Sequence, residues 1–256
     1  MQCSHLILVR DKKGYVQRVP CGQCIACRLN YGKLWSIRMM EELKKHDKAC
    51  FVTLTYSDDT RPVDNILCKR DLQLFFKRLR KERHVRYFAC GEYGDRFGHC
   101  HYHAIIYGVA PDEHDLIEKH WQQGFVKLGT VTEDSCAYVA KYMTKKLRGK
   151  ALEEKLQDDP DYQNEFVLMS RRPGIGADLS DSMVQFLKDN KVYYRKGIMS
   201  GLPRYWKDKH NIHRCLLPSY LSLTSEEKEN QNFILNNSEN YDRLIDKRLK
   251  FFKRKD

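Results

Sequence analysis

Two histidines separated by a single residue stand in a short apolar run, and this feature most constrains what the chain can fold into. The stretch Gly91–Gly108 ends in that run, which glycines bound, and this predicts a buried strand entered through a turn. Because alternate residues of a strand point to the same face, we expect His101 and His103 to lie side by side. Paired imidazoles are able to bind one cation. In the alternative interpretation, one histidine packs in the core and the other lies at a solvated edge.

A predicted helix follows these histidines in the sequence. Residues 132–146 open with capping residues and continue without Gly or Pro, which is typical of a helix. One face of this helix carries two tyrosines and two lysines at helical spacing: Tyr138, Lys141, Tyr142 and Lys145. The simpler interpretation is an amphipathic helix whose tyrosines pack on the sheet and whose lysines face water.

The chain is strongly basic. Its 256 residues contain 46 Lys and Arg against 34 Asp and Glu, which gives a net charge of +12. A membrane surface, nucleic acid or an acidic protein would each suit this charge, and nucleic acid is the best-motivated partner. Apolar runs are shorter than the ~18 residues that a membrane span needs, and the first residues do not form a signal peptide. We therefore expect a soluble cytoplasmic protein without membrane contact.

Cysteines cluster near the N-terminus. Cys21, Cys24 and Cys27 follow one another at spacings of three, and Cys3 lies on the facing strand of a predicted hairpin. With no signal peptide, such cysteines are expected to be reduced and to be available as metal ligands. The pattern favours a structural Zn²⁺ site. An iron–sulfur cluster and a tight turn with unmetallated thiols are the alternatives.

The order of predicted elements after residue 50 is strand, helix, strand, turn, strand and helix. It predicts an α+β fold with an antiparallel sheet of the ferredoxin-like, split βαβ type, with helices on one face. The other face would be free for a strand of nucleic acid. The predicted division is a Cys-rich hairpin and helix at residues 1–49, a catalytic core at 50–150, and a basic accessory region at 151–256 that is expected to contact DNA.

These motifs resemble the HUH endonucleases that initiate rolling-circle replication, and most closely the initiators of microviruses. His101-Tyr102-His103 matches the His-hydrophobic-His signature, and Tyr138 and Tyr142 match the two-tyrosine form of the catalytic helix. Phe51–Tyr56 is similar to the family's first motif, an apolar and Thr-rich strand. The resemblance covers residues 50–150 and, more loosely, the N-terminal cysteine segment.

The resemblance implies a metal-assisted strand transfer. Glu92, which ends the strand before the histidine strand, matches a carboxylate of related initiators and is expected to join His101 and His103 around Mg²⁺ or Mn²⁺; a solvated turn glutamate is the alternative. Tyr138 and Tyr142 would alternate as nucleophiles that form a 5′-phosphotyrosine link at the origin. Lys141 and Lys145 would favour the phenolates or hold the phosphate.

The expected partners are the origin of the replicative form, the single-stranded viral DNA, and a helicase and a polymerase of the host. Beyond residue 150, contacts to DNA are predicted at a basic turn and in a segment that mixes aromatic and cationic residues: Arg171, Arg172, Arg204, Tyr205 and Trp206. A plain surface turn and amphipathic strands are the alternatives for these two segments.

Two other functions remain open at this point. A plasmid relaxase uses the same chemistry, but relaxases place the tyrosine before the histidines, whereas here the tyrosines follow them. A non-catalytic nucleic-acid-binding protein on a ferredoxin-like sheet is the second alternative.

Overall fold

The structure, a computed structural model, describes residues 3–10, 16–94, 98–142, 150–212 and 229. The elements in chain order are β1 (Ile7–Arg10), β2 (Val16–Val19), α1 (Ile25–Leu43), β3 (Ala49–Thr55), a short 3-10 helix (Val63–Asn65), α2 (Lys69–Glu82), β4 (Arg86–Tyr93), β5 (Cys100–Tyr107), α3 (His114–Trp121), β6 (Val126–Thr130), α4 (Glu133–Lys141), α5 (Lys150–Asp158), β7 (Phe166–Met169), α6 (Asp181–Asn190), β8 (Tyr193–Arg195), β9 (Ile198–Ser200) and α7 (Arg204–Lys209).

The chain divides into two compact units. One consists of Met1–Tyr31 with Ser182–Asp256, and the other of Gly32–Asp181. The first contains two small antiparallel pairs, β1 with β2 and β8 with β9. The second contains the five-stranded sheet and the helices packed on it. The predicted three-part division at residues 49 and 150 stays a prediction.

The five-stranded sheet has the order β6-β3-β5-β4-β7, and every neighbouring pair is antiparallel. Helix α2 connects β3 to β4, and β5 lies between these two strands. Helix α3 connects β5 to β6, with β3 between them. Each connection is a split βαβ unit, and together they make the ferredoxin-like arrangement. The predicted α+β class with an antiparallel sheet is confirmed.

Helices cover both faces of this sheet, and the prediction of helices on one face alone was wrong. On one face, α2 and α3 bury an apolar cluster that includes Leu72, Phe75 and Trp121. On the other, α1 contacts the sheet through Trp35, whose ring centroid lies 5.1 Å from that of Phe88. The physical reason is the composition of the strands, because both faces of β4 and β5 carry apolar side chains that need cover.

Helix α3 and strand β6 were not predicted. The helix ends at Gln122, which has a positive φ of 59° and closes the last turn through a hydrogen bond to the Glu118 carbonyl. Gly124 follows with a φ of +145°, and a Cβ at this position would collide with the Ser57 backbone nitrogen. Only glycine allows this close approach, which brings β6 alongside β3.

Among the described residues, no helix combines the length and the apolar character needed to cross a bilayer.

Candidate active site

The sheet register brings the predicted metal ligands together. In the β4–β5 ladder, Glu92 lies opposite His101, and Cys90 lies opposite His103. In the β3–β5 ladder, Thr53 lies opposite His103. Because alternate residues share a face, Glu92, both histidines and Thr53 all point to the side that α1 and α4 cover.

Glu92 is the centre of this group. Its Oε1 lies 2.9 Å from His101 Nε2 and 3.0 Å from His103 Nε2. The side chain belongs to a strand and the residue is only 2% exposed, so the alternative of a solvated turn glutamate was wrong. Burial raises the pKa of Glu92, but the contacts with His101 and His103 outweigh this effect and lower it to about 2. The carboxylate is therefore ionised at neutral pH.

The outer nitrogen of each imidazole is also held. His101 Nδ1 lies 3.0 Å from the His99 carbonyl oxygen, which can only accept a hydrogen bond, so Nδ1 carries the proton. In the neutral ring, Nε2 of His101 then presents its lone pair to Glu92. His103 Nδ1 lies 3.0 Å from the Thr53 hydroxyl, which is able to hold the same tautomer.

Sequence reasoning assigned no role to Thr53 or to the His99 carbonyl. A signal for Thr53 was present, since Phe51, Thr53 and Thr55 alternate along the predicted first strand. The Phe51 ring also stacks on His103, with centroids 5.6 Å apart and planes 9° apart. Residues at every second position of β3 thus support the histidine strand.

These three side chains fit a divalent cation. Their ligand atoms all lie within 4.8 Å of one another. Ligands at the ~2.1 Å typical of Mg²⁺ lie about 3 Å apart at neighbouring corners of an octahedron, which matches the two Glu92 distances. Two lone pairs aimed at a carboxylate oxygen also need a proton or a cation between them. A set of two nitrogens and one oxygen suits Mg²⁺ or Mn²⁺ with other positions left for a phosphate.

Helix α4 places both tyrosines beside these ligands. The helix begins with a capping box, in which the Thr132 hydroxyl accepts from the Ser135 amide and the Ser135 hydroxyl accepts from the Thr132 amide. The Tyr138 hydroxyl lies 3.4 Å from His103 Nε2 and 3.5 Å from Glu92 Oε1. The Tyr142 ring lies nearly parallel to the His103 ring, with centroids 5.9 Å apart.

The two tyrosines differ in their exposure. Tyr138 is 40% exposed, whereas Tyr142 is 4% exposed. Burial, followed by the contact with Tyr138 and the charge of Glu92, raises the pKa of the Tyr142 hydroxyl. Position along one helix therefore gives the two phenols different surroundings, although their ring centroids are only 5.1 Å apart.

The predicted lysines lie at and beyond the end of α4. Lys141 is the last residue of the helix and is partly buried. Lys145 falls outside the described residues, so its role stays a prediction.

The predicted DNA contacts fall on two exposed segments and one buried side chain. Arg171 and Arg172 are exposed in the turn after β7, and Arg204 is exposed at the start of α7. Tyr205 is partly buried. The prediction for Trp206 was wrong, because its side chain is fully buried and its ring packs against Tyr193, which leaves no face for a base.

The four predicted cysteine ligands also come together. The sulfur atoms of Cys3, Cys21, Cys24 and Cys27 all lie within 4.8 Å of one another. All four cysteines are free thiols.

Comparisons with known proteins agree on one kind of relative. Residues 49–147 match the family model of the replication-associated protein ORF2. The chain is 30% identical to replication-associated protein VP4 of Bdellovibrio phage phiMH2K over 74% of its own length and 66% of that protein. It is 27% identical to replication-associated protein ORF4 of Chlamydia phage 1, over 74% of the chain and 53% of that protein. It therefore spans between half and two thirds of these two relatives.

A third relative is covered more completely. The chain is 30% identical to replication-associated protein ORF2 of Spiroplasma virus 4, over 94% of its own length and 77% of that protein. No solved structure matches the chain significantly.

Proposed function

This chain belongs to the family of phage replication-associated proteins, as its resemblance to microvirus initiators predicts, and we propose that it nicks the origin of a circular DNA to start rolling-circle replication. One observation carries the proposal. The Tyr138 hydroxyl lies 3.4 Å from His103 Nε2 and 3.5 Å from Glu92 Oε1. A potential nucleophile thus stands beside a potential metal site, which is the arrangement that a tyrosine-dependent strand transfer needs.

The proposed reaction moves a phosphoryl group of DNA onto a phenol. The phenolate oxygen of Tyr138 attacks the scissile phosphorus, and the bond from phosphorus to the 3′ oxygen breaks. That oxygen takes up a proton and leaves as a 3′ hydroxyl, while the 5′ end stays on the protein as a phosphotyrosine. Unlike water, a tyrosine keeps the bond energy in the covalent link, so the strand can be rejoined later.

Glu92, His101 and His103 would hold Mg²⁺ or Mn²⁺, which when bound supplies Lewis-acid stabilisation of charge on the phosphate oxygens. Glu92 contributes the negative charge of the set, since its pKa of about 2 keeps it ionised. The Thr53 hydroxyl and the His99 carbonyl keep Nε2 of each imidazole turned toward Glu92. The chain's own groups thus fix the donor atoms before DNA arrives.

The second tyrosine supports a reaction in two steps. Tyr142 would attack the regenerated origin after one round of synthesis, and the freed 3′ hydroxyl would attack the first phosphotyrosine to close the displaced circle. Lys141 would favour a phenolate or hold the phosphate, and the same role is proposed for Lys145.

The partners follow from this chemistry. A net charge of +12 suits a DNA partner, and the exposed Arg171, Arg172 and Arg204 are proposed to contact its backbone, with Tyr205 beside them. The released 3′ hydroxyl is the primer that a polymerase extends, and the displaced strand needs a helicase. We infer that the host supplies both, in the host cytoplasm.

A covalent adduct tests the proposal. The chain is incubated in Mg²⁺ or Mn²⁺ with single-stranded oligonucleotides tiled across the circular genome that encodes it, each labelled at its 3′ end. A labelled band that stays with the protein on a denaturing gel is expected for the oligonucleotide that contains the origin. No adduct with any oligonucleotide, despite DNA binding, would favour a non-catalytic nucleic-acid-binding protein.

Histidine variants test the metal site separately. The double variant His101→Ala with His103→Ala should form no adduct but should still bind single-stranded DNA in a filter or gel-shift assay. His114→Ala is the matched control, because His114 is exposed on α3, which packs on the opposite face of the sheet. Adduct formation at the wild-type rate by the double variant would refute the metal assignment.

A further inference from the structure

Four cysteine sulfurs converge at the start of α1, in the unit that does not contain the catalytic sheet. Cys3 Sγ lies 3.6 Å from Cys21 Sγ and 3.8 Å from Cys24 Sγ, and all four sulfurs, with that of Cys27, lie within 4.8 Å of one another. We propose that these four thiolates hold one structural Zn²⁺ ion. The site is separate from the proposed catalytic metal and does not depend on the proposed function.

The sulfur spacing matches a single tetrahedral ion. Zinc takes Zn–S distances of ~2.3 Å, and the corners of such a tetrahedron lie about 3.8 Å apart. The Cys3–Cys24 and Cys3–Cys21 distances agree with this value. A cluster of several irons spreads its cysteine sulfurs around a larger core, so one ion fits this spacing better than an iron–sulfur cluster does.

Backbone amides already point at the sulfurs. Cys21 Sγ accepts from the amides of Gln23 at 3.4 Å and Cys24 at 3.3 Å, and Cys3 Sγ accepts from the Cys21 amide at 3.3 Å. Gly22 makes this turn possible with a φ of +75°. Such amide contacts stabilise negative charge on sulfur and orient metal ligands, so they form the outer shell that a zinc site needs.

The surrounding segment has little else to hold it together. Strands β1 and β2 form an isolated two-stranded pair, and such a pair is marginally stable in water. Ile7, Leu8 and Val9 of β1 are all exposed, Leu8 by 69%, so the pair buries little apolar surface. A metal that joins the chain before β1 to the first turn of α1 replaces the missing core.

The thiolate set also defines what the ion would do. Four protein ligands fill a tetrahedral shell and leave no position for water or substrate. The ion would therefore stabilise the fold, and its removal should loosen the N-terminal segment without taking part in the chemistry of strand transfer.

Metal content tests the site. The full chain, purified in reducing buffer and dialysed, is expected to contain close to one zinc per chain by elemental analysis. The variant His101→Ala with His103→Ala serves as the background, so that zinc bound at the catalytic ligands is not counted. In this background, Cys21→Ser should lower the zinc content at least fivefold, and addition of Co²⁺ in place of zinc should give the thiolate-to-metal absorption only when Cys21 is present.

Cys68→Ser is the matched control, because it removes one partly buried thiol at the N-cap of α2, outside the cluster. It should keep its zinc. The Co²⁺ titration of the unsubstituted cysteine cluster keeps the test decisive if Cys21→Ser fails to fold. Protein that contains no zinc when purified and gives no Co²⁺–thiolate absorption would overturn the proposal, as would zinc that survives both Cys21→Ser and Cys24→Ser.

Discussion

The different burial of the two tyrosines predicts which one attacks first. Tyr138 is 40% exposed and its hydroxyl is close to His103 and Glu92, whereas Tyr142 is 4% exposed. A phosphate in solution therefore reaches Tyr138 without any movement of α4. We expect Tyr138→Phe to slow the first adduct strongly and Tyr142→Phe to leave it almost unchanged. Phenylalanine keeps the ring packing of each site and removes only the nucleophile.

The size of the effect follows from the pKa of Tyr142. Burial raises this pKa, and each unit lowers the phenolate fraction at neutral pH tenfold, which corresponds to about 1.4 kcal/mol in the barrier. A cation at the metal ligands would act on both phenols, so the difference in burial persists. Tyr138→Phe should therefore lower the first-adduct rate at least ~10-fold, and Tyr142→Phe should change it less than ~3-fold.

A single-turnover experiment measures both rates. Protein in excess is mixed with the 3′-labelled origin oligonucleotide and Mn²⁺, and the labelled adduct is followed with time on a denaturing gel. The double variant Tyr138→Phe with Tyr142→Phe should give no adduct, and neither single variant should release closed circles efficiently. Equal first-adduct rates for the two single variants, or a larger loss in Tyr142→Phe, would refute the argument from burial.

Two further predictions concern the support of the site and the core. Thr53→Val removes the hydroxyl that holds His103 and should weaken Mn²⁺ binding ~10- to 100-fold in a calorimetric titration. Thr55→Val should not, because the Thr55 hydroxyl contacts the Phe125 carbonyl and no histidine; equal losses would contradict the role of Thr53. Leu72→Ala should lower the free energy of unfolding in urea by about 2 to 5 kcal/mol, because Leu72 is fully buried beneath the sheet. An effect below ~1 kcal/mol would contradict that packing.

The strand that carries the histidines is predictable because its pattern is local. Alternation alone places His101 and His103 on one face and Tyr102 on the other, and the structure agrees, with Tyr102 buried in the opposite cluster. The proximity of Glu92 also follows from a short connection between two paired strands. Predictions of this kind need only the period of two and the order of the strands.

Features that depend on distant packing are harder to predict. Helix α3 has eight residues and no side-chain cap, and its burial of Ile117 and Trp121 is what defines it. The apolar run of β4 indicated that both faces of the sheet are covered, but the run does not say which helices cover them. Similarly, spacing puts Tyr138 and Tyr142 on one helical face, whereas their unequal exposure depends on how α4 lies against β5.

The ladder that pairs Glu92 with His101 separates two kinds of evolutionary change. Deleting one residue within β5 before His101 would turn both histidines to the opposite face of the sheet and destroy the donor set at once. A change of length in the turn between Gly94 and Gly98 leaves the register of both strands intact. Lineages that replicate different genomes are therefore free to vary this turn as their origins diverge, while the strands beside it keep the same chemistry.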